Sequence, residues 1–312
     1  MSTFLGIDTS NYATSLAVYD AASGRVPVML KRFLPVREGA LGLRQSDAVF
    51  HHTAALPEMI DELKSKTDCR ELSAVGVSVK PRPVEGSYMP CFLVGRAIGS
   101  AVSAALGIPL VETTHQQGHI AAALYAAGGD LYEKRALVFH ISGGTTELLL
   151  VERLQVLRVV GASQDLYAGQ AVDRLGVKLG YGFPAGAEVS RLAASCAEQP
   201  DPRVSVQGTN CSLSGLQNQC EKLLAEGRDP AYVSKYCLTA IAKTVTRMLQ
   251  AAQAQEGRLP CVCAGGVMSS GIIRDHVTAR VPGVRFVPGE FSSDNAAGAA
   301  ILAARSGEGT HG

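Results

Sequence analysis

The chain has no excess of charge of one sign: 29 Lys and Arg stand against 28 Asp and Glu over 312 residues. A balance of this kind gives no global field to attract nucleic acid or an anionic membrane, so a nucleic-acid partner needs a local patch or a helper protein. CxxC pairs are also missing. The eight cysteines are scattered, and Cys261 and Cys263 share one face of an apparent strand, an ordinary place for buried free thiols. That usage points to a reducing, cytoplasmic interior. The opening MSTFLGIDTS has no basic segment followed by an apolar one, and no run of about 18 apolar residues follows anywhere, so neither export nor a membrane span is expected. Aliphatic residues and Ala dominate instead, which suits an α/β core.

The length favours two domains, each with its own core. FLGIDTSNYATSLAVYD is an apolar strand, a polar turn and a second alternating strand, and ALVFHISGGTTELLLVE at residues 136–152 repeats that unit. The chain therefore looks internally duplicated. Between the units the pattern predicts a helix over 45–66, the strand SAVGVSV, the helix LVGRAIGSAVSAAL and a short strand ending at Val111. After the second unit come helices near AGQAVDRLGVKLG, SLSGLQNQCEKLLAE and PAYVSKYCLTAIAKTVTRMLQAAQAQ, then the strand CVCAGG and a helix around GIIRDHVTAR. A final helix is expected to begin near Asp294. This is an α/β alternation, with sheets covered by helices. The boundary is placed near AAGGDLYEK, giving domains 1–130 and 131–312.

Polar turns between strands direct backbone N–H groups toward the end of a sheet, where phosphate oxygens are held. Ser142, Gly143 and Gly144 form the stronger turn, because paired glycines admit a ligand close to the backbone. CAGGVMSSG offers a further anion site where a strand ends in glycines before a helix. His115 and His119, four apart in TTHQQGHIAAAL, project from one helical face and could share an ion. Ordinary surface histidines give the same spacing. Asp294, just before the last helix, suits a third ligand as well as an N-cap. His51, His52 and His140 carry less weight as ligands.

Taken together, these stretches resemble the tRNA N6-adenosine threonylcarbamoyltransferase family, long known as glycoproteases, from Phe4 to about Ala304. LGIDTS resembles its LGIETS, THQQGH its HxxGH box, HISGGTT its VSGGHT, and SQDLYAGQAVDRLGVKLGYGFPAG its DDAAGEAFDK with a Pro-Gly-Gly turn. CSLSGLQN resembles FSFSGLK, AGGVMSS resembles GGGVAAN, and FSSDNAA resembles CTDNAA. The resemblance implies an actin-like, Hsp70-like fold of two duplicated ribonuclease H-like lobes around a ligand cleft, with the last helix, about 293–305, packing back on the N-terminal lobe. It implies transfer of a threonylcarbamoyl group from L-threonylcarbamoyl adenylate to N6 of an adenosine beside the tRNA anticodon. Also implied are one divalent ion, iron or zinc-like, on His115, His119 and Asp294, and an adenylate or ATP-derived ligand on His140, Ile141, Ser142, Gly143, Gly144, Asp173, Gly186 and Ser270. The partners implied are an adenylate-forming enzyme, other tRNA-modification subunits and tRNA, with assembly as a homo- or heterodimer and no membrane.

Departures from the family pattern concentrate in two places. In the first turn, Asp8 and Ser10 lead into Asn11, Tyr12 and Ala13, where the family has Cys, Asp and Glu. The glycine-rich AGPG turn is replaced by the longer VKPRPVEGSYMPCF. Thr145 replaces a His, and Ser270 an Asn. These changes leave two alternatives: a catalytically altered paralogue that binds nucleotide and metal as a partner subunit, or an enzyme that carbamoylates another acceptor, with the loop over 80–91 as its specificity element. Peptide hydrolysis is disfavoured, since no nucleophile is paired with a base for it. No catalytic residue is assigned from the sequence.

Overall fold

The computed structural model describes residues 2–10, 13–35, 43–293 and 295–306. Its first elements are β1 (Thr3–Ser10), β2 (Ala13–Asp20), β3 (Arg25–Phe33), α1 (Gln45–Lys66), β4 (Leu72–Lys80), α2 (Phe92–Leu106), β5 (Leu110–Thr114) and α3 (His115–Ala127). Next come β6 (Arg135–Ser142), β7 (Thr145–Glu152), β8 (Gln155–Ala162), α4 (Ala168–Lys178), α5 (Gly186–Ala194), β9 (Ser205–Gln207), β10 (Asn210–Ser212), α6 (Ser214–Ala225) and α7 (Pro230–Glu256). The chain finishes with β11 (Cys261–Ala264), α8 (Gly271–Thr278), β12 (Val284–Phe286), α9 (Gly289–Ser292) and α10 (Ala297–Ser306). It divides into two compact units, Met1–Ala122 with Asp294–Gly312, and Ala123–Ser293. Among the described residues no helix is long and apolar enough to cross a membrane.

Both units contain the same sheet. The first is ordered β3-β2-β1-β4-β5 and the second β8-β7-β6-β11-β12. In each, an antiparallel meander of three strands is extended by two parallel strands beside its first strand. Parallel neighbours require crossovers, and helices supply them. Outer strands β3 and β8, absent from the sequence expectation, carry charged and half-exposed positions that blur strand alternation. β5 runs on to Thr114, beyond the expected Val111, and α10 begins at Ala297 rather than near Asp294.

In the first unit, strand periodicity decides which helix lies on which face. Leu5 and Ile7 of β1 join Leu56, Met59 and Leu63 of α1 in one core cluster, with Val94 and Ile98 of α2 packed against it. The residue between them, Gly6, faces the other way and pairs across the sheet with Gly76 of β4. A Cβ on Gly6 would lie 2.1 Å from the Ala296 carbonyl oxygen, and one on Gly76 would lie 2.0 Å from that of Ala299. α10 is therefore seated backbone-to-backbone on the sheet. Its Gly298 in turn abuts the Gly118 carbonyl of α3, where a Cβ would stand 1.8 Å away.

The second unit is built around α7, which starts cleanly because Asp229 accepts the Ala231 N–H at 2.9 Å and Pro230 occupies the first turn. Leu238, Ile241, Val245 and Met248 of α7 share one core cluster with Leu137, Phe139 and Ile141 of β6 and with Cys261 and Cys263 of β11. All eight cysteines are free thiols, and burial pushes the Cys261 thiol up to about 11. Gly76→Ala and Gly298→Ala should each lower stability by about 3 kcal/mol or more, because the obstructing atoms are backbone. Gly215→Ala, with nothing within 4 Å of the added carbon, should be neutral or slightly stabilising. Denaturant midpoints of the three variants measure this, and a wild-type midpoint for Gly298→Ala would contradict the close packing.

Candidate active site

Thr114 ends β5, and the helix that follows is fixed at its first residue by a capping box. Gln117 N–H donates to Thr114 Oγ1 at 3.2 Å, while Gln117 Oε1 accepts the Thr114 N–H at 3.1 Å. His115 thus occupies the first position of α3, with His119 one turn on. Their Nε2 atoms lie 2.9 Å apart. Two nitrogens each about 2.1 Å from one ion can stand at such a separation.

Asp8 of β1 lies behind His115, 2 % exposed, with Oδ2 at 2.9 Å from His115 Nδ1. With Nδ1 directed at a carboxylate, Nε2 is the atom left to accept or to ligate, which is the usual arrangement behind a metal-binding imidazole. Burial alone would raise the Asp8 carboxyl, but the His115 charge and hydrogen bonds from His115, Ser78 and Ser10 outweigh it and hold the group below its ordinary range. Ser10 N–H donates to the other oxygen, Oδ1, at 2.9 Å. Ala13, opposite Ser10 in the ladder, is fully buried. Asn11, Tyr12 and Asp294 lie outside the described residues. Among the described residues no three His, Cys, Asp or Glu side chains gather as a metal centre. Even so, the paired imidazoles and the buried carboxylate behind them suit a divalent cation.

A second buried contact supports the same β-hairpin. Thr14 Oγ1 and His52 Nδ1 are 2.8 Å apart, and His52 is fully buried on α1. Desolvation lowers the His52 imidazole to about 4, against a smaller opposing pull from Asp8. His52, given little weight from the sequence, is therefore a structural histidine that is neutral in the fold.

In the other unit Gly143 and Gly144 join Ser142 to Thr145 as a two-residue turn. Both glycines are exposed, and a Cβ on either would meet nothing within 4 Å, while the Gly144 N–H donates to Ser142 Oγ at 3.4 Å. Behind the turn the packing is tight. A Cβ on Gly169 of α4 would lie 2.4 Å from the Ser142 carbonyl oxygen, and one on Gly265 would lie 1.9 Å from that of Ile141. Those contacts bring together the SGG turn, the start of α4 and the 3₁₀ turn Gly266–Ser269. His140, half-buried, pairs with Ala264 and Glu147 in the ladders. Ser270 follows the 3₁₀ turn at the start of α8, 5 % exposed, and its hydroxyl has no hydrogen-bond partner among the described residues.

Asp173 of α4 accepts the Ala185 N–H at 2.9 Å, and Gly186 opens α5 beside it. Burial raises the Asp173 carboxyl, and backbone hydrogen bonds from Ala185 and Gly186 partly offset this. Sequence reasoning missed Asp165. Its carboxylate receives the N–H groups of Leu166 (2.6 Å) and Leu213 (2.7 Å) and the Ser214 hydroxyl (2.5 Å), clamping the CSLSG stretch. An Asp before an apolar residue and a helix was the available signal.

Comparison with known proteins turns this geometry into a family assignment. The family model described as tRNA N6-adenosine threonylcarbamoyltransferase matches residues 42–301. The chain belongs to this family. The tRNA N6-adenosine threonylcarbamoyltransferase of Thermus thermophilus is 31% identical over 308 residues, covering 96% of this chain and 92% of that protein. Among solved structures, component A of the (R)-2-hydroxyglutaryl-CoA dehydratase of Acidaminococcus fermentans superposes with a TM-score of 0.60 at 13% identity, covering 99% of this chain and 100% of that one. A ROK family glucokinase from Streptomyces griseus gives 0.54 at 14% identity, covering 97% and 99%. These likenesses show the fold, the actin-like and Hsp70-like α/β architecture built from two duplicated ribonuclease H-like lobes. Family membership supports threonylcarbamoyltransferase chemistry at the level of the family.

His52 makes stability depend on pH in a defined window. Its pKa is depressed in the fold, so its contribution is complete above about 6.5 and is lost as pH falls toward about 4. Acidification across that interval should remove roughly 3 kcal/mol. Unfolding midpoints of His52→Gln should start lower at pH 7 and change less over the same interval than those of wild type. An equally steep decline in the variant would assign the acid sensitivity elsewhere.

Proposed function

We propose that this chain transfers a threonylcarbamoyl group from L-threonylcarbamoyl adenylate to N6 of the adenosine beside the tRNA anticodon. The observation that carries the reading is the pairing of His115 with the buried carboxylate of Asp8, with His119 Nε2 2.9 Å from His115 Nε2, in a member of this family. In the reaction the adenosine amine attacks the carbamoyl carbon, the bond from that carbon to the phosphate oxygen breaks, AMP leaves, and the amine gives up one proton.

Each residue has a task in this reading. His115, His119 and Asp294 hold one divalent ion, iron or zinc-like, which when bound supplies Lewis-acid polarisation and a template for the mixed anhydride. Asp8 fixes the tautomer and orientation of His115. The exposed turn of Ser142, Gly143 and Gly144, beside His140 and Ile141, receives the phosphate of the adenylate. Ser270 offers a buried hydroxyl to the nucleoside, and the Asp173 carboxylate, next to Gly186, meets the ribose hydroxyls. The donor comes from an adenylate-forming partner enzyme in the cytoplasm, with further tRNA-modification subunits in the assembly.

The test combines purified chain, threonine, bicarbonate, ATP, the adenylate-forming partner and unmodified tRNA, followed by digestion to nucleosides. Threonylcarbamoyladenosine is the expected product. Its absence with every component present would leave the altered-paralogue reading in its place. His115→Ala and His119→Ala should lose bound metal together with activity, whereas Asp8→Asn should weaken metal affinity by about 10–100-fold. Metal content equal to wild type in both histidine variants would remove the ligand assignment.

A further inference from the structure

The segment from Lys80 to Cys91 is a braced arch. Pro81, Pro83 and Pro90 fix φ at three of its positions. At one end the Pro81 carbonyl accepts the Gln116 N–H at 3.0 Å, the residue beside His115. At the other, Met89 packs against a small core of Leu34, Ala48, Cys91 and Phe92, and the Phe92 ring stands 6.0 Å from the His115 imidazole. Between these anchors the Arg82 N–H donates to Ser87 Oγ at 3.0 Å, the Ser87 N–H donates to the Val84 carbonyl at 3.3 Å, and Gly86 turns the chain at φ +74.

The arch holds two apolar side chains out to solvent: Val84 is 56% exposed and Tyr88 63%. Proline and internal hydrogen bonds have already removed most of the ordering cost that a flexible loop would meet on binding. The local charge favours an anionic partner, since Lys80 and Arg82 outnumber the one acid, Glu85. An arch with two exposed apolar residues is small beside the roughly 800 Å² that each partner gives to a stable protein interface. A single aromatic ring beside cations is enough, however, to stack on an unpaired base.

We propose that Tyr88 stacks on an unpaired base of the RNA acceptor, with Lys80 and Arg82 serving its phosphates, so that the arch selects the acceptor and leaves the donor alone. This rests on the reading that the chain acts on tRNA, whose loop bases are unstacked and accessible. Tyr88 is a specificity residue here, and its hydroxyl takes no part.

The experiment uses the full chain and a fluorescent, unmodified anticodon stem-loop RNA. Tyr88→Ala should weaken binding of that hairpin about tenfold or more, the range of one lost base stack, while Tyr88→Phe binds like wild type. In the transfer assay Tyr88→Ala should raise KM for tRNA and leave KM for the adenylate unchanged. If wild type binds the hairpin with this dependence but transfers nothing, stacking stands and the transferase reading fails. If transfer proceeds and Tyr88→Ala binds RNA as wild type does, the inference is overturned and the transferase reading stands. Failure of wild type to bind the hairpin also overturns it. So does a Tyr88→Ala variant that keeps RNA affinity but no longer co-purifies with the adenylate-forming partner, which would make the arch a protein contact.

Discussion

The first unit depends on backbone lying directly on backbone. Glycines 6 and 76 sit side by side in neighbouring strands and remove the side-chain layer that normally holds a helix away from a sheet. α10 settles into that gap and meets α3 through Gly298 and Gly118. Because α3 carries both histidines, their distance from the carboxylate of β1 is set by contacts with no rotatable side chain between them. Such contacts give little, and a hydrogen-bond geometry like that of Asp8 and His115 needs a frame of this stiffness.

Above this seat the sheet buries an unusual amount of polar chemistry. Asp8, Thr9, Thr14, Ser15, His52 and Ser78 are each less than 3 % exposed. Burial of polar groups is tolerated when partners are supplied, and many are. Thr9 donates to the Cys91 carbonyl and receives the Gly95 N–H, which ties the start of α2 to β1. Asp8 is satisfied from both sides. The polar layer consequently links the hairpin, the foot of the 80–91 arch and the histidine helix into one connected set.

How much of this was legible in the sequence follows from the range of each interaction. The pairing of His115 with His119 is local, four residues along one helix, and the repeated strand-turn-strand units announced the duplicated sheets. The box that starts α3 is equally local, a Thr followed three residues later by Gln, with His115 between them. Asp8 was noticed only as part of an altered turn. Its partner lies 107 positions away, and no periodicity encodes such a contact. The same holds for Gly298 against Gly118, and for the contacts of Asp165 with Leu213 and Ser214, 48 and 49 residues along the chain. Strands β3 and β8 were lost for a different reason: outer strands mix charged with apolar residues on both faces and leave no clean alternation.

The division of the chain has a consequence for its birth on the ribosome. The first unit combines residues up to Ala122 with the segment that begins at Asp294. Until α10 has been synthesised, the flat floor at Gly6 and Gly76 has nothing lying on it and the histidine helix lacks its neighbour. The second unit, Ala123–Ser293, is one unbroken stretch and meets no such delay. Translation therefore completes the sequence of the second unit before that of the first, and a chain that stops short of Ala297 lacks the helix that lies on Gly6 and Gly76 and abuts Gly118.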